Sequence, residues 1–230
     1  MNFKKFTLVL IAFLLISCSG KTVSPEFINQ TTGRYLFNPD ETIEVYFEDE
    51  NLFIKWRGAE RITPMHLGDN KYFVKEMNEK IQFLTNPKDQ KQYICLIPKD
   101  KNEKVNFDYR KLNDTEEIPS VYLKNKEFAK ALEGYLAIKK NDSTNTYISE
   151  TNFNSLGYRE LRIKNYADAI AIFKINAVLY PESDNVYDSL AEAYFKNGDT
   201  INAVENYKNA IEIDSGNRRA KDFVKKYEKK

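Results

Sequence analysis

Short apolar and aromatic runs alternate with turn residues along the first half of the chain, at intervals of roughly ten residues. Ile43, Val45 and Phe47, for example, alternate with neighbours that would point to the opposite face of a strand. A period of two is the pattern of a β-strand with one buried face. We therefore predict an antiparallel β-barrel or sandwich of about eight strands over residues 26–117.

A second pattern, with a period of 34 residues, begins at position 150. The recurring pairs are Phe153 and Tyr187, Leu156 and Leu190, Gly157 and Ala191, Ala169 and Ala203, Phe173 and Tyr207, and Pro181 and Ser215. This order of aromatic, leucine and small residues resembles the tetratricopeptide repeat, a helix-turn-helix unit in which helix A is followed by helix B. The resemblance implies two units, 150–183 and 184–217, within an α-solenoid, so the predicted fold class is a two-domain α+β protein.

Helical spacing continues on both sides of these units. The step from Ala131 to Tyr135 copies that from Ala169 to Phe173 at an offset of 38, which indicates a degenerate leading helical pair over 118–149. Residues 218–230 have the pattern of a short, basic amphipathic helix. Its cations raise the alternative of a nucleic-acid or membrane contact, but they also suit the carboxyl end of a solvated capping helix, which we favour.

The amino terminus has the pattern of an export signal. Lys4 and Lys5 precede an apolar run that is too short for a membrane span, and small residues follow it. The order that ends in Ser17 and Cys18 resembles a lipobox, which implies a signal peptide over 1–17, a lipidated Cys18 and a tether over 18–25. The expected product is a bacterial lipoprotein that faces the periplasm from the outer membrane. The alternative is an ordinary secretory signal with an incidental cysteine.

The strand and turn order of the β-domain resembles a lipocalin-like accessory domain that is often appended to secreted serine hydrolases of the β-lactamase type. The resemblance rests on Gly33, Tyr35, the strand pair around 49–56, and the runs 62–67 and 72–74. The runs 152–158 and 185–194 similarly resemble the helical tail of such proteins. Together these features imply the non-catalytic region of that architecture without its enzyme.

Charge and composition exclude several classes of function. Lys and Arg total 35 against 34 Asp and Glu, so no strong global field favours a nucleic-acid partner. One histidine, His66, and two cysteines, Cys18 and Cys95, leave little for a metal site. A lipidated Cys18 would leave Cys95 as the only thiol, expected to be buried and inert.

Enzymatic motifs are absent from the sequence. No serine has a lysine three residues later, and there is no nucleophile elbow, phosphate-binding loop, dinucleotide fingerprint or paired zinc-ligand motif. The adjacent carboxylates Glu116 and Glu117 are expected to be solvated in a polar linker. We therefore expect no enzymatic activity, no catalytic residue, no metal and no cofactor.

The resemblance to tetratricopeptide repeats implies a concave groove lined by helix A. The positions that usually face it are Asn154, Tyr158, Arg162, Asp188, Glu192 and Lys196. Polar side chains beside an aromatic suit an extended peptide or a partner helix, so we predict a protein-binding adaptor, with a hydrolase supplied by another chain as a candidate partner. One alternative is that these six are ordinary exposed residues. Another function is the carriage of a small apolar ligand in a β-domain cavity lined by Phe47, Trp56, Phe73, Phe83 and Phe107.

Overall fold

The protein was analysed as a computed structural model that describes residues 23–100, 102–142 and 146–228. Nine strands come first: β1 (Gly33–Asn38), β2 (Glu41–Glu48), β3 (Asn51–Trp56), β4 (Ala59–Ile62), β5 (Met65–Gly68), β6 (Lys71–Val74), β7 (Glu79–Thr85), β8 (Gln92–Leu96) and β9 (Tyr109–Arg110). A short helix, α1 (Pro25–Thr31), precedes them. Seven further helices are α2 (Pro119–Lys124), α3 (Phe128–Asn141), α4 (Glu150–Arg162), α5 (Tyr166–Leu179), α6 (Asp184–Lys196), α7 (Thr200–Ile213) and α8 (Arg218–Tyr227). Within the described ranges, no helix combines the length and apolar character needed to cross a membrane.

The strands form two antiparallel sheets, so the prediction of a closed barrel was wrong and the α+β arrangement holds. Strands β1 to β4 make one sheet and β5 to β9 the other, each in chain order. Pro64 lies between β4 and β5, and because proline has no N–H it cannot extend a ladder there. At the opposite side the sheets meet, where Tyr35 bridges to Lys111 and the Leu112 amide donates to the Arg34 carbonyl over 2.8 Å.

One hydrophobic core is shared by both sheets. Ile43 and Ile54 of the first sheet and Val74 and Ile94 of the second belong to a single cluster of buried residues. Helix α1 lies on this core, where the Phe27 ring packs edge-on against neighbouring phenylalanine rings. The two sheets therefore form a sandwich with α1 as an additional cover.

Side chains occupy the space where the carrier hypothesis places a cavity. Phe83 is 2% exposed and belongs to the core cluster, and Phe47 and Trp56 pack against that cluster. Phe73 lies between the two core residues of β6 and so points to the other face, while Phe107 is exposed and packs on Tyr93. These positions support a filled interior.

The helical region is tetratricopeptide-like because its helix bounds repeat. Both ends of α6 follow those of α4 by 34 residues, and both ends of α7 follow those of α5 by the same interval. Helix α5 follows α3 with an offset of 38, and α8 begins 34 residues after α6. Helix α8 is therefore in phase with the two A helices, and it is the first helix of a third unit rather than an unrelated cap.

Small residues and left-handed turns permit this packing. A Cβ at Gly157 would lie 2.5 Å from the Phe173 ring, so α4 and α5 approach closely only because this position is glycine. The turn between helices A and B has a residue with positive φ at the same place in all three pairs, namely Lys126, Lys164 and Gly198. Such φ values are strained for a lysine and natural for a glycine.

The β-domain and the helices are joined by polar contacts. The Ser120 amide at the start of α2 donates to Asp40 Oδ1 over 2.7 Å, and Tyr135 of α3 hydrogen-bonds the same carboxylate. The expectation that Glu116 and Glu117 are solvated was wrong, since Arg110 pairs with Glu116 and Arg34 pairs with Glu117. Distant strands supply these arginines, so local sequence could not reveal the pairing.

Candidate functional site

The six residues predicted to line the groove occupy one face of two A helices. Asn154, Tyr158 and Arg162 are successive turns of α4, and their counterparts on α6 are Asp188, Glu192 and Lys196. The structure brings the middle pair together, because the Tyr158 hydroxyl donates to Glu192 Oε2 over 3.2 Å. This surface, called the inner face below, is therefore continuous across both repeats.

Arg219 of α8 completes the inner face, and the sequence prediction missed it. Its Nη2 atom lies 2.9 Å from Asp188 Oδ2 and 3.0 Å from Glu192 Oε2. Asn217, the N-cap of α8, contacts Asp188 Oδ1 over 3.4 Å. The start of α8 one period after α6 was the signal that its residues face the same groove.

The acidic groups of the inner face lie beneath the basic group. The side chains of Asp188 and Glu192 are 17% and 23% exposed, whereas that of Arg219 is 52% exposed. Burial raises the pKa of Asp188, although Arg219 and Asn217 act in the opposite direction. The two carboxylates therefore act mainly as internal counter-ions for Arg219.

Cationic side chains stand at the carboxyl ends of both A helices. Arg162 is exposed at the end of α4, and Lys196 occupies the equivalent place on α6 with its Nζ 3.6 Å from Glu192 Oε1. Between them, burial raises the pKa of Tyr158, so its hydroxyl stays protonated as a hydrogen-bond donor at neutral pH. A partner on the inner face would meet exposed cations and one aromatic ring.

Asn154 also has an unsatisfied polar atom. Its Oδ1 is buried and has no hydrogen-bond partner among the residues that the structure describes. An unpaired buried acceptor destabilises a protein, and a donor from a bound partner would relieve that cost.

The remaining candidate residues of the sequence lie elsewhere. His66 Nε2 is 2.8 Å from the Asp69 carbonyl in the β5–β6 turn and its ring packs on Tyr72. Cys95 is buried, and burial raises the pKa of its thiol to about 11, which disfavours the reactive thiolate. No group of three or more potential metal ligands occurs in the described part of the chain. Cys18 and the predicted signal peptide lie outside the described residues.

Comparisons with known proteins concern the helices alone. No protein-family model matches the chain, and no curated protein matches it. The first tetratricopeptide domain of Spaghetti (RPAP3) bound to an HSP90 peptide is 18% identical, covers 48% of this chain and 85% of its own, and has a TM-score of 0.34. MamA is 19% identical over 47% of this chain and 81% of its own, with a TM-score of 0.33.

A third similar structure is the Arabidopsis OM64 tetratricopeptide domain, which is 17% identical, covers 48% of this chain and 88% of its own, and has a TM-score of 0.33. TM-scores this low carry no argument about function. The class defined by the fold, a β-sandwich followed by tetratricopeptide-like helices, rests on the helix periods and packing described above. The lipocalin-like and β-lactamase-related resemblance receives no support from these structures.

Proposed function

We propose that the protein is a non-enzymatic adaptor that binds a protein or peptide partner through the inner face. The observation that carries this proposal is the hydrogen-bonded series from Tyr158 through Glu192 to Arg219, which links three successive A-type helices. These contacts fix the side chains before a partner arrives. Fixed side chains lose less conformational entropy on binding than mobile ones do, so the surface is preorganised.

The exposed cations define what a partner meets first. Arg162, Lys196 and Arg219 are on the solvent side of the inner face, and the carboxylates that balance Arg219 lie below. Charged groups at such a rim mainly set orientation and association rate, while the aromatic and buried groups contribute to affinity. An extended segment that crosses α4, α6 and α8 would contact all of them.

The proposal extends to the cell envelope. We propose that Cys18 carries lipid and anchors the protein to a bacterial membrane, with the folded part facing the periplasm, and that a hydrolase supplied by another chain is one candidate partner. Radiolabelled palmitate incorporation that is lost in Cys18→Ser would support the anchor. Equal incorporation by both proteins, or incorporation by neither, would contradict it.

Reversal of one inner-face charge tests the adaptor. The variant Arg162→Glu is the sharpest, since Glu192→Lys would also place a cation beside Arg219 and disturb α8. The full-length lipoprotein and the variant are cross-linked mildly in native membranes, purified and compared by mass spectrometry. We expect one dominant protein whose recovery falls about tenfold in Arg162→Glu, the change that a loss of about 1.4 kcal/mol produces.

The matched control is Lys174→Glu, which reverses an exposed cation of α5, a B helix. It should recover the same protein at the wild-type level. Unchanged recovery with Arg162→Glu, or equal loss with both variants, would remove the inner face as the binding surface.

A further inference from the structure

The leading helical pair has a shortened A helix. Helix α2 spans 6 residues and α4 spans 13. With the offset of 38 that relates α3 to α5, α2 corresponds to the last turns of a full helix A, and the contact between Ser120 and Asp40 stands at its start. The β-domain therefore replaces the first half of this helix.

A cleft of about 330 Å³ lies between this short helix and the first full repeat. Its apolar lining comes from four helices: Leu123 of α2, Phe128 of α3, Leu156 of α4 and Ile172 of α5. A volume near 300 Å³ is at the small end of ligand sites in proteins, so the cleft suits one side chain better than a whole lipid.

The next junction of the array shows why the cleft is open. One period after Glu160 stands Tyr194, which packs against the core between α5 and α6 together with Tyr166, the counterpart of Phe128. One period after Arg159 stands Ala193, which is fully buried. An aromatic ring and a small residue thus fill the second junction, and a charged pair takes their places at the first.

Charge around the cleft is arranged with the anions inside. Arg159 Nε lies 3.5 Å from Glu160 Oε1, and the exposed fractions of these side chains are 63% and 17%. Lys126 Nζ lies 2.7 Å from Asp168 Oδ2, with exposed fractions of 65% and 18%. Lys124, also exposed, adds a third cation, so the rim is basic and the lining has one more cation than anions.

We propose that this cleft is a specificity pocket that receives an apolar side chain of about leucine size from a partner peptide, with a neighbouring acidic side chain held by Arg159 and Lys124. The inference rests on the proposed adaptor function, because the peptide would be the one bound at the inner face. Arg159 and Arg162 are three residues apart on α4 and so lie on the same side of that helix. The pocket therefore extends the inner face toward the β-domain and commits the partner to an apolar residue beside an acidic one.

A photo-reactive peptide tests the pocket directly. The probe is biotinylated Gly-photoleucine-Asp-Gly with a blocked carboxyl end, and it is irradiated with the full-length lipoprotein in membranes. Mass spectrometry then maps the cross-links. We expect them on the lining segments 120–128 and 156–172, with a yield about threefold lower for the matched Asn probe, since exposed ion pairs are weak.

Two variants copy the filled junction and so keep a side chain that the fold already accepts. Glu160→Tyr should lower the cross-linking yield at least about tenfold by filling the cleft. Arg159→Ala should leave the cleft open but bring the yields of the Asp and Asn probes to the same value. Circular dichroism confirms that both variants remain folded. A yield that is unchanged in Glu160→Tyr, or an Asp preference that survives Arg159→Ala, would overturn the pocket.

The pocket and the adaptor fail in different ways. If a partner is recovered with the wild type and lost with Arg162→Glu while the probe does not label the cleft, the adaptor stands and the pocket is wrong. If the probe labels the cleft as expected but no partner depends on Arg162, the cleft is a peptide site and the inner-face proposal fails.

Discussion

The β-sandwich and the helical region are stabilised in different ways. The sandwich has one core to which both sheets contribute, so each strand depends on residues far away in the chain. The helices instead have three smaller clusters, each formed by neighbouring helices: α3 to α5, α4 to α6, and α6 to α8. A core defect should therefore affect the whole sandwich, whereas a defect in the repeats should have graded, local effects.

The largest expected effect comes from emptying the centre of the sandwich. Phe83 contacts the rings of Phe27, Tyr35 and Tyr72, so Phe83→Ala should reduce the free energy of unfolding by about 3–5 kcal/mol. Trp56 is the only tryptophan and lies in β3, so its fluorescence during urea unfolding reports on this domain. Helical circular dichroism reports on the repeats, and its midpoint should move much less. Equal shifts of both midpoints would mean that the two regions unfold as one unit.

A smaller effect is expected at the joint between the regions. Asp40→Ala removes the acceptor for the Ser120 amide and for Tyr135, and it should reduce the free energy of unfolding by about 1–2 kcal/mol. The fluorescence and dichroism midpoints should move further apart than in the wild type, because the joint transmits stability between the regions. Midpoints that stay as close as in the wild type would show that Asp40 does not couple them.

The same residue gives a pH dependence with a defined sign. Burial raises the pKa of Asp40 above its ordinary value, so the folded protein disfavours the charged carboxylate. The stabilising effect of its protonation is complete below the unfolded-state pKa and is lost as the pH rises through the folded-state pKa. Relative to Asp40→Asn, the wild type should therefore gain stability as the pH falls from neutral toward 4. Parallel stability curves would contradict the raised pKa.

The smallest effect concerns the left-handed turns. Lys164→Gly relieves a positive φ in the α4–α5 turn and should stabilise the repeats by about 0.5–1 kcal/mol. The matched change in the next unit, Gly198→Ala, should have the opposite sign. Thermal unfolding followed by circular dichroism measures both variants, and the same sign for both would show that φ does not govern these turns.

Local periodicity explains why the elements were predictable from the sequence. The period of two at Ile43 and Val45 and the 34-residue period from Phe153 to Tyr187 both follow from which face of an element is buried. The sheet arrangement was harder to predict, because a closed barrel and a sandwich share the same strand pattern. The break at Pro64 decides between them, and its meaning depends on which strands neighbour it.

The candidate site was predictable only in part, because its key contacts are tertiary. The repeat period identifies the positions of Tyr158 and Glu192, and the structure places them in contact. Arg219 escaped prediction because α8 was interpreted as a cap from its basic composition, although its register already matched that of α6. The cleft beside Glu160 requires both the substitution for Tyr194 and the short α2, and only the first is visible without a structure.

The phase of α8 has a consequence for protein engineering. Because α8 begins one period after α6, it already has the register of a helix A, and a designed helix B fused after it would extend the array without a new junction. By analogy with α5, which packs on both α3 and α4, the added helix would lie against α7 and α8. There Ile201 is 84% exposed beside a cleft that also includes Val204 and Tyr227. The molecule thus provides a ready docking edge on which recognition modules of chosen length can be assembled.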